Sequence, residues 1–360
     1  MPARPLGPVR LRPDNFTPPS RTPWGGTNIV TRIKAGLELD CASTCVGESW
    51  EVSVDPQFPS VCVLPEGEVL LAELLVEHSG WMLGDRERAR FGSSTPLLVK
   101  LLDAAESLSI QVHPADDYEG LAAGESGKPE CWVVIGAEKG AGLYLGLRPE
   151  ATPESFKAAI DGGQDLSKLL NFVTVEPGDI FVIEPGTVHA VGAGVTLVEP
   201  QLCLPGKSGK TYRFWDWDRR YDAAGQRSPD GLPRTLHVAD SLAVTRFDGL
   251  RGDEFVRSTR PLAQSLSSAP LLHQRIAELS GMVVERLQGR GAYTWRLPGR
   301  LVAVVIAEGE VIATDTSERF RAGESFVLPA GLDRLTLLVR QHAVLIATWM
   351  MGANELVEVP

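Results

Sequence analysis

The chain has 360 residues, 43% of them hydrophobic, and a formal net charge of −11 at pH 7, which is enough apolar material for more than one core and the wrong sign for neutralising nucleic-acid phosphates. No apolar run reaches the length that spans a bilayer, and the start MPARPLGPVRLRP carries charge without the apolar stretch of a secretory leader, so a cytoplasmic protein with no membrane or nucleic-acid partner is expected. The five cysteines, Cys41, Cys45, Cys62, Cys131 and Cys203, are odd in number and scattered, which predicts reduced thiols and leaves the Cys41/Cys45 pair without a second pair to complete a zinc finger.

Taken in chain order, the first periodic segment is Val69 to Glu77, where clustered apolar residues predict a helix. Short strands follow at Leu97 to Leu102, Leu108 to His113, Glu130 to Ile135 and Gly142 to Leu147. A helix is expected over Pro153 to Ile160, since Thr152 can cap it and Pro153 suits its first turn. More strands are read at Phe172 to Val175, Ile180 to Ile183, Thr196 to Val198 and Thr211 to Asp216, with a loop between Pro200 and Lys210. Frequent turn signals, drawn from 36 Gly and 26 Pro, favour an all-β sandwich or barrel.

From about Leu250 to Pro270 the pattern fades, and a new β-rich one begins near Met282. Its plan of Gly-acid turn, strand and Pro-Gly segment repeats that of VEPGDIFVIEPGTVHAV, so two related barrels are expected, over residues 1–245 and 246–360. The second has no histidine at the matching place, Pro329-Ala330-Gly331-Leu332-Asp333-Arg334.

Chemistry concentrates in the first part. Residues two apart on a strand face the same way, so Gln111 and His113 of Gln111-Val112-His113-Pro114 project together. Glu130 and His189 complete an N/O donor set suited to a divalent metal, zinc first, and to catalysis rather than a closed structural site. His78, His237, His273 and His342 stand outside any such constellation. Lys100, Lys128 and Arg213 lie close to the donors in sequence, as cations gathered for a small anion such as a phosphate would. Glu199 and Gln201 share a strand face, and Glu199 is either a general base or a partner that holds a ligand. Two glycine motifs carry no nucleotide chemistry. Gly206-Lys207-Ser208-Gly209-Lys210-Thr211 lacks the first glycine of a phosphate loop, and Gly192-Ala193-Gly194 lacks its third, with Leu197 in that position.

Assembled, these residues resemble the type I mannose-6-phosphate isomerases of the cupin superfamily, in their short bacterial branch. The resemblance rests on Trp24-Gly25-Gly26, Gly47-Glu48-Ser49-Trp50-Glu51, Pro96 to Lys100, Leu108 to Pro114, Gly127 to Trp132, Gly186 to Ala190 and Thr211-Tyr212-Arg213. It implies a jelly-roll cupin domain followed by a degenerate cupin-like barrel. It also implies one Zn2+ per chain on His113, Glu130 and His189, with Gln111 as fourth ligand or close neighbour. Arg213 would be catalytic, with Glu199 in the pocket and Lys100 and Lys128 near the sugar phosphate.

The implied reaction interconverts mannose 6-phosphate and fructose 6-phosphate through an enediolate, with Glu199 as base or water at the metal as its rival. Other readings kept open are a cupin isomerase for a different sugar phosphate, a metal-dependent oxygenase, and a sugar-binding protein without catalysis. Monomer and homodimer are both compatible with the sequence. Departures from the family pattern fall at Pro185, which directly precedes Gly186, at Pro200, and in a long Leu202 to Lys210 connection. They bear on substrate preference.

Overall fold

The computed structural model describes residues 2–267 and 271–351. Its N-terminal strands are β1 (Val9–Leu11), β2 (Glu48–Val52), β3 (Val61–Leu64) and β4 (Gly67–Leu70), followed by helices α1 (Leu71–Glu77) and α2 (Ser79–Phe91). Next come β5 (Leu97–Ala104), β6 (Ile110–Val112), β7 (Glu125–Ser126), β8 (Glu130–Ala137), β9 (Gly142–Leu147), α3 (Pro153–Asp161), β10 (Leu170–Thr174) and β11 (Ile180–Ile183). The central part continues with β12 (His189–Val191), β13 (Val195–Leu202), β14 (Ser208–Gly209), β15 (Tyr212–Trp215), α4 (Val238–Val244) and α5 (Gly252–Ser258). The C-terminal strands are β16 (Gln264–Ser265), β17 (Leu271–Leu279), β18 (Met282–Arg296), β19 (Val302–Ala313), β20 (Glu318–Arg321), β21 (Ser325–Leu328) and β22 (Arg334–Met350).

Two five-stranded sheets, ordered β11-β8-β13-β5-β2 and β10-β9-β12-β6-β15, form the two layers of a jelly roll. Strand alternation explains their packing. Leu102, Trp132, Val134 and Leu197 of the first sheet join Leu143, Leu145 and Val191 of the second in one core. Their neighbours Val99, Leu101, Cys131, Val133 and Val198 point the other way and pack on Ile276, Val284, Ala303, Val305 and Ile346 of the C-terminal part. The first sheet is therefore covered on both faces, which is why β5 reads as a nearly unbroken apolar run. Lys100 and Asp103 are its exceptions.

The C-terminal strands form a ten-stranded sheet, ordered β16-β17-β18-β22-β19-β21-β1-β3-β4 with β20 on β19. Residues of one face, among them Leu287, Trp295, Val304, Phe326, Leu337 and Leu345, pack on one another. This requires the sheet to curl, and the register shifts at Gly289/Gly291 and Ile306/Glu308 let it do so. Strands β1, β3 and β4, from the N-terminal end of the chain, belong to this sheet through the β1–β21 ladder.

Most expected elements are present, β9 and β11 at the predicted bounds. Thr152 caps α3, its Oγ1 accepting from Ser155 N at 3.1 Å. Three differences have physical reasons. Val69 belongs to strand β4, and the helix starts only at Leu71. Strand β13 continues through Pro200 to Leu202, because the ladder to β8 is open between Val198 and Gln201 and needs no amide proton there. Helix α2 was hidden because it buries only Met82, Leu83 and Glu87 and is interrupted at Gly84, whose φ is +74°; the short α4 and α5 carry equally weak periodicity.

Candidate metal centre and active-site cavity

His189 stands at the start of β12, opposite Gln111 of β6, and Arg213 of β15 lies opposite Gln111 on its other side. On the facing sheet Glu199 is paired with Lys100, Lys100 with Trp50, and Gln201 with Glu130. These two rungs face each other, so strand register alone converges residues far apart in sequence. The turn before His189 needs Gly186, with φ of +83°, whose N–H donates to the His113 carbonyl at 2.8 Å. That bond ties the two histidine segments together.

His113, Glu130 and His189 are buried, and their ligand atoms all lie within 4.8 Å of one another. Nε2 of His113 is 3.4 Å from Glu130 Oε2, and Nε2 of His189 is 3.4 Å from Glu130 Oε1. Each ring is oriented from behind. The Nδ1–H of His113 donates to the Lys210 carbonyl and that of His189 to the Thr187 carbonyl, both at 2.9 Å. Since carbonyls can only accept, the protons sit on Nδ1, and both Nε2 atoms turn lone pairs toward a carboxylate. His113 Nε2 and Glu130 Oε1 are buried without any hydrogen-bond partner. Lone pairs converging on lone pairs in a dry site is the arrangement a divalent cation relieves, so the residues fit a metal.

Electrostatics agree. Burial depresses the His113 imidazole to about 3 and also lowers His189, so both stay neutral as ligands must be. Burial alone would raise Glu130, but Lys128 and the two imidazoles overcome it and hold the carboxylate well below its ordinary value. Gln201 Nε2 donates to Glu130 Oε2 at 2.7 Å, and Lys128 Nζ is 3.5 Å from the same oxygen. The Gln111 amide lies 3.3 Å from His189 Nε2.

Beside this group opens a cavity of about 380 Å³, into which Lys100, Gln111, Lys128, Glu199, Gln201 and Arg213 project. Lys100 Nζ sits 3.4 Å from Glu48, 3.9 Å from Glu199 and 4.6 Å above the Trp50 ring. Trp132 Nε1 donates to Glu199 Oε1 at 3.0 Å. Burial, with the nearby Glu130 charge, pushes the Glu199 carboxyl up to about 8 against the pull of both lysines. Burial and then Arg234 lower the Arg213 guanidinium to about 10, which leaves it charged at neutral pH. Lys128 reaches the cavity past Gly209, where a Cβ would come within 2.9 Å of its Cδ and 2.7 Å of Cys203 Sγ.

All nine residues singled out from sequence, Gln201 among them, therefore meet at one place. Others were not foreseen. Glu48 and Trp50 bear on Lys100 across β2, and the sequence hint was only their alternation within Gly47-Glu48-Ser49-Trp50. His237, read as having no constellation, braces Arg213, whose backbone N–H donates to its Nδ1 at 3.3 Å. Arg21 and Arg234 line the cavity from loops, with no periodic signal to mark them. The only His/Cys/Asp/Glu group with metal-site geometry among the described residues is His113, Glu130 and His189, and none of these lies in the C-terminal part. No helix among those residues is long and apolar enough to cross a membrane.

Comparison with known proteins agrees with this geometry. Residues 20–128 match the model of the phosphomannose isomerase type I catalytic domain. Mannose-6-phosphate isomerase ManA of Bacillus subtilis is 32% identical over 317 residues, covering 87% of this chain and 91% of that protein. Mannose-6-phosphate isomerase of Streptococcus mutans is 32% identical over 315 residues, covering 85% of this chain and 88% of its own. The crystal structure of the Bacillus subtilis mannose 6-phosphate isomerase superposes with a TM-score of 0.79 at 27% identity, over 96% of this chain and all of that one. A mutant of phosphomannose isomerase from Salmonella typhimurium, 16% identical with a TM-score of 0.68, shares the fold. Two curated isomerases matched over most of their length, with the cupin layers and the buried His/Glu/His group, lead to one conclusion: this chain belongs to the type I mannose-6-phosphate isomerases, a family of metal-dependent isomerase enzymes.

Proposed function

We propose that this enzyme interconverts mannose 6-phosphate and fructose 6-phosphate in the cytoplasm, with one Zn2+ per chain on His113, Glu130 and His189 and with Gln111 as the fourth protein ligand. The observation that carries the reading is the pair of outward Nε2 lone pairs beside an unpartnered Glu130 oxygen, next to a cavity rich in cations. Two neutral imidazoles and a carboxylate suit zinc. Gln111 joins them by turning its amide oxygen toward His189, since the two ends of an amide occupy the same space. The bound Zn2+ supplies Lewis-acid polarisation of the substrate's carbonyl and hydroxyl oxygens.

The chain's own residues do the rest. Isomerisation moves a proton between carbons 1 and 2 of the sugar, and needs a base by carbon and positive charge by oxygen. Glu199 is the base: Trp132 fixes its Oε1, and a value near 8 lets it both take the proton and return it. Arg213 adds positive charge beside the developing enediolate oxygens. Lys100 and Lys128 bind the phosphorylated sugar and orient it, work that acts on the barrier through positioning. A cavity of about 380 Å³ is within the range of small-ligand sites. Residues 1–245 form the catalytic domain in this reading, and residues 246–360 a brace without metal ligands.

The test is a coupled assay of mannose 6-phosphate against glucose 6-phosphate, with chelator and with zinc restored, on protein whose metal has been analysed after purification without added metal. Turnover of mannose 6-phosphate that chelator abolishes and zinc restores is expected. Bound iron with oxygen consumption would replace the isomerase by an oxygenase, and sugar binding without hydrogen exchange at carbon 2 would leave only a binding protein.

A further inference from the structure

The cations of the cavity are not equivalent. Those deepest in it are spent on carboxylates: Lys100 on Glu48 and Glu199, Lys128 on Glu130. At the mouth the balance reverses. Arg21 is exposed, lies 5.4 Å from the Trp50 ring centre and 4.9 Å from that of Phe58, and donates only to a neutral group, Gln57 Oε1, at 2.9 Å. Arg213 donates from Nη1 to the Thr235 carbonyl at 3.4 Å, and its buried Nε has no partner. Arg234 does meet a carboxylate, Asp216, through Nε at 2.8 Å and Nη2 at 2.5 Å, but Arg219 already holds the same carboxylate. Arg234 and, more weakly, Arg21 act on Arg213 and help burial to lower it, while Asp216 raises it, so both guanidiniums lie within electrostatic reach of Arg213. Asp216 offsets only part of this convergence, because Arg219 and Arg234 share its one charge, and cationic capacity is left for an entering anion.

The loop that delivers Arg234 is built to stay in place. Tyr221 and Leu232 exchange backbone hydrogen bonds at 2.9 and 2.8 Å, and Arg220 Nε donates to the Gly231 carbonyl at 2.8 Å. The next residue, Thr235, offers the carbonyl that Arg213 uses. Arg234 is thereby positioned with Nε and Nη2 turned to Asp216 and its remaining nitrogen outside that pair.

We infer that Arg21 and Arg234 bind the phosphate of the sugar phosphate, while Arg213, Lys100 and Lys128 serve the sugar's reacting end. Guanidinium forks match the geometry of a tetrahedral oxyanion, whereas buried lysines already paired with carboxylates offer it little net charge. The inference rests on the sugar-phosphate reading of this cavity and assigns the group that selects phosphorylated over free sugar.

Two measurements on the zinc-loaded enzyme test it. Inorganic phosphate is titrated by calorimetry into the wild type, Arg21→Gln, Arg234→Gln and Arg227→Gln, the last an exposed arginine bonded to Glu106 outside the cavity. Arg21→Gln and Arg234→Gln are expected to weaken phosphate binding by about tenfold each, and Arg227→Gln to leave it near wild type. Second, the preference for mannose 6-phosphate over unphosphorylated mannose, as a ratio of kcat/KM, falls in the first two variants. A general structural defect would depress both sugars alike. Unchanged phosphate affinity in both Arg21→Gln and Arg234→Gln overturns the assignment, as does a wild type that binds no phosphate. Arg21 is exposed and its removal leaves no buried group unpaired, so that variant remains decisive if Arg234→Gln fails to fold. Phosphate binding lost as expected in a protein inert on mannose 6-phosphate would sink the isomerase reading and leave the anion site standing.

Discussion

Gln201 and Glu130 are directly opposed on adjacent antiparallel strands, and the Gln201 amide donates to Glu130 Oε2 at 2.7 Å in a site closed to water. The bond fixes which carboxylate oxygen turns toward His113 and which toward His189. Partners of this kind orient metal ligands and typically account for about 10–100-fold in affinity. Gln201→Leu is therefore expected to weaken zinc binding by that order, read by competition with a chromophoric chelator, while the fold persists. Equal zinc affinity in the variant would mean that Lys128 alone holds the carboxylate.

Metal binding and turnover are expected to separate by residue. His113→Ala or Glu130→Ala removes a donor and is expected to lose both zinc and activity. Arg213→Ala is expected to keep one zinc per chain yet lose about 10²–10³-fold in kcat, the scale seen when one charge-stabilising donor is deleted. Zinc content by elemental analysis, beside the coupled assay, reads both. Full activity in Arg213→Ala would remove that residue from the mechanism.

The parts of the site legible in sequence were those set by short-range geometry. Gln111 and His113 fall on one face because strand side chains alternate, and Gln111 meets His189 while His113 meets Glu130, though β6 itself ends at Val112. What alternation cannot give is register between strands. Glu48 meets Lys100 only because β2 pairs with β5 in one particular offset, and Pro200 looks like a strand end until the open β8 ladder is seen. Arg21 and Arg234 were illegible for a different reason, being carried by loops whose paths depend on tertiary contacts. The pairing of β1 with β21 joins residues more than 300 positions apart, as Val9 opposite Val327 illustrates, and no local pattern encodes it.

The two buried imidazoles should cost the metal-free protein stability in acid. The imidazole of His113, ordinarily near 6.5, is held to about 3 by burial, and His189 is shifted in the same direction. Below 6.5 the unfolded chain binds protons that the folded imidazoles refuse, so their contribution to stability is fully present above that value and declines as pH falls toward the folded values. Each imidazole contributes a slope of about 1.4 kcal/mol per pH unit within its window. Two buried carboxyls act in the opposite sense over pH 8 to 5, since burial raises Glu199 to about 8 and Glu87 to about 7 and both take up protons on folding. The imidazole contribution is therefore read as a difference in thermal unfolding: chelator-treated His113→Gln is expected to gain stability relative to the wild type as pH falls below 6.5. Excess zinc should remove the imidazole part of the wild type's pH dependence, because a cation on the Nε2 atoms excludes the protons. A difference between the two proteins that is independent of pH would mean that the imidazoles are already solvated in the metal-free state.

Beyond the cavity, strand β2 carries a second buried charge pair whose loss should be costly. Glu48 and Trp50 face Lys100, while Glu51, on the other side of the strand, meets Lys34 Nζ at 2.7 Å. Neither member of the pair is more than 2% exposed. Lys34 also donates to the Gly323 carbonyl at 2.8 Å, and Glu51 accepts from Ser49 at 2.6 Å and from Ser325 at 3.0 Å, so the pair joins β2 to the C-terminal sheet. Removing one partner strands the other charge where water cannot reach it, at about 3–5 kcal/mol, whereas replacing both by apolar residues of similar size is often close to neutral. Denaturant unfolding of Lys34→Met, Glu51→Leu and the double variant is expected to give two large losses and a substantial recovery. Additive losses in the double variant would mean that the pair contributes net stability, and that the hydrogen bonds to Gly323 and Ser325 outweigh the cost of desolvating both charges.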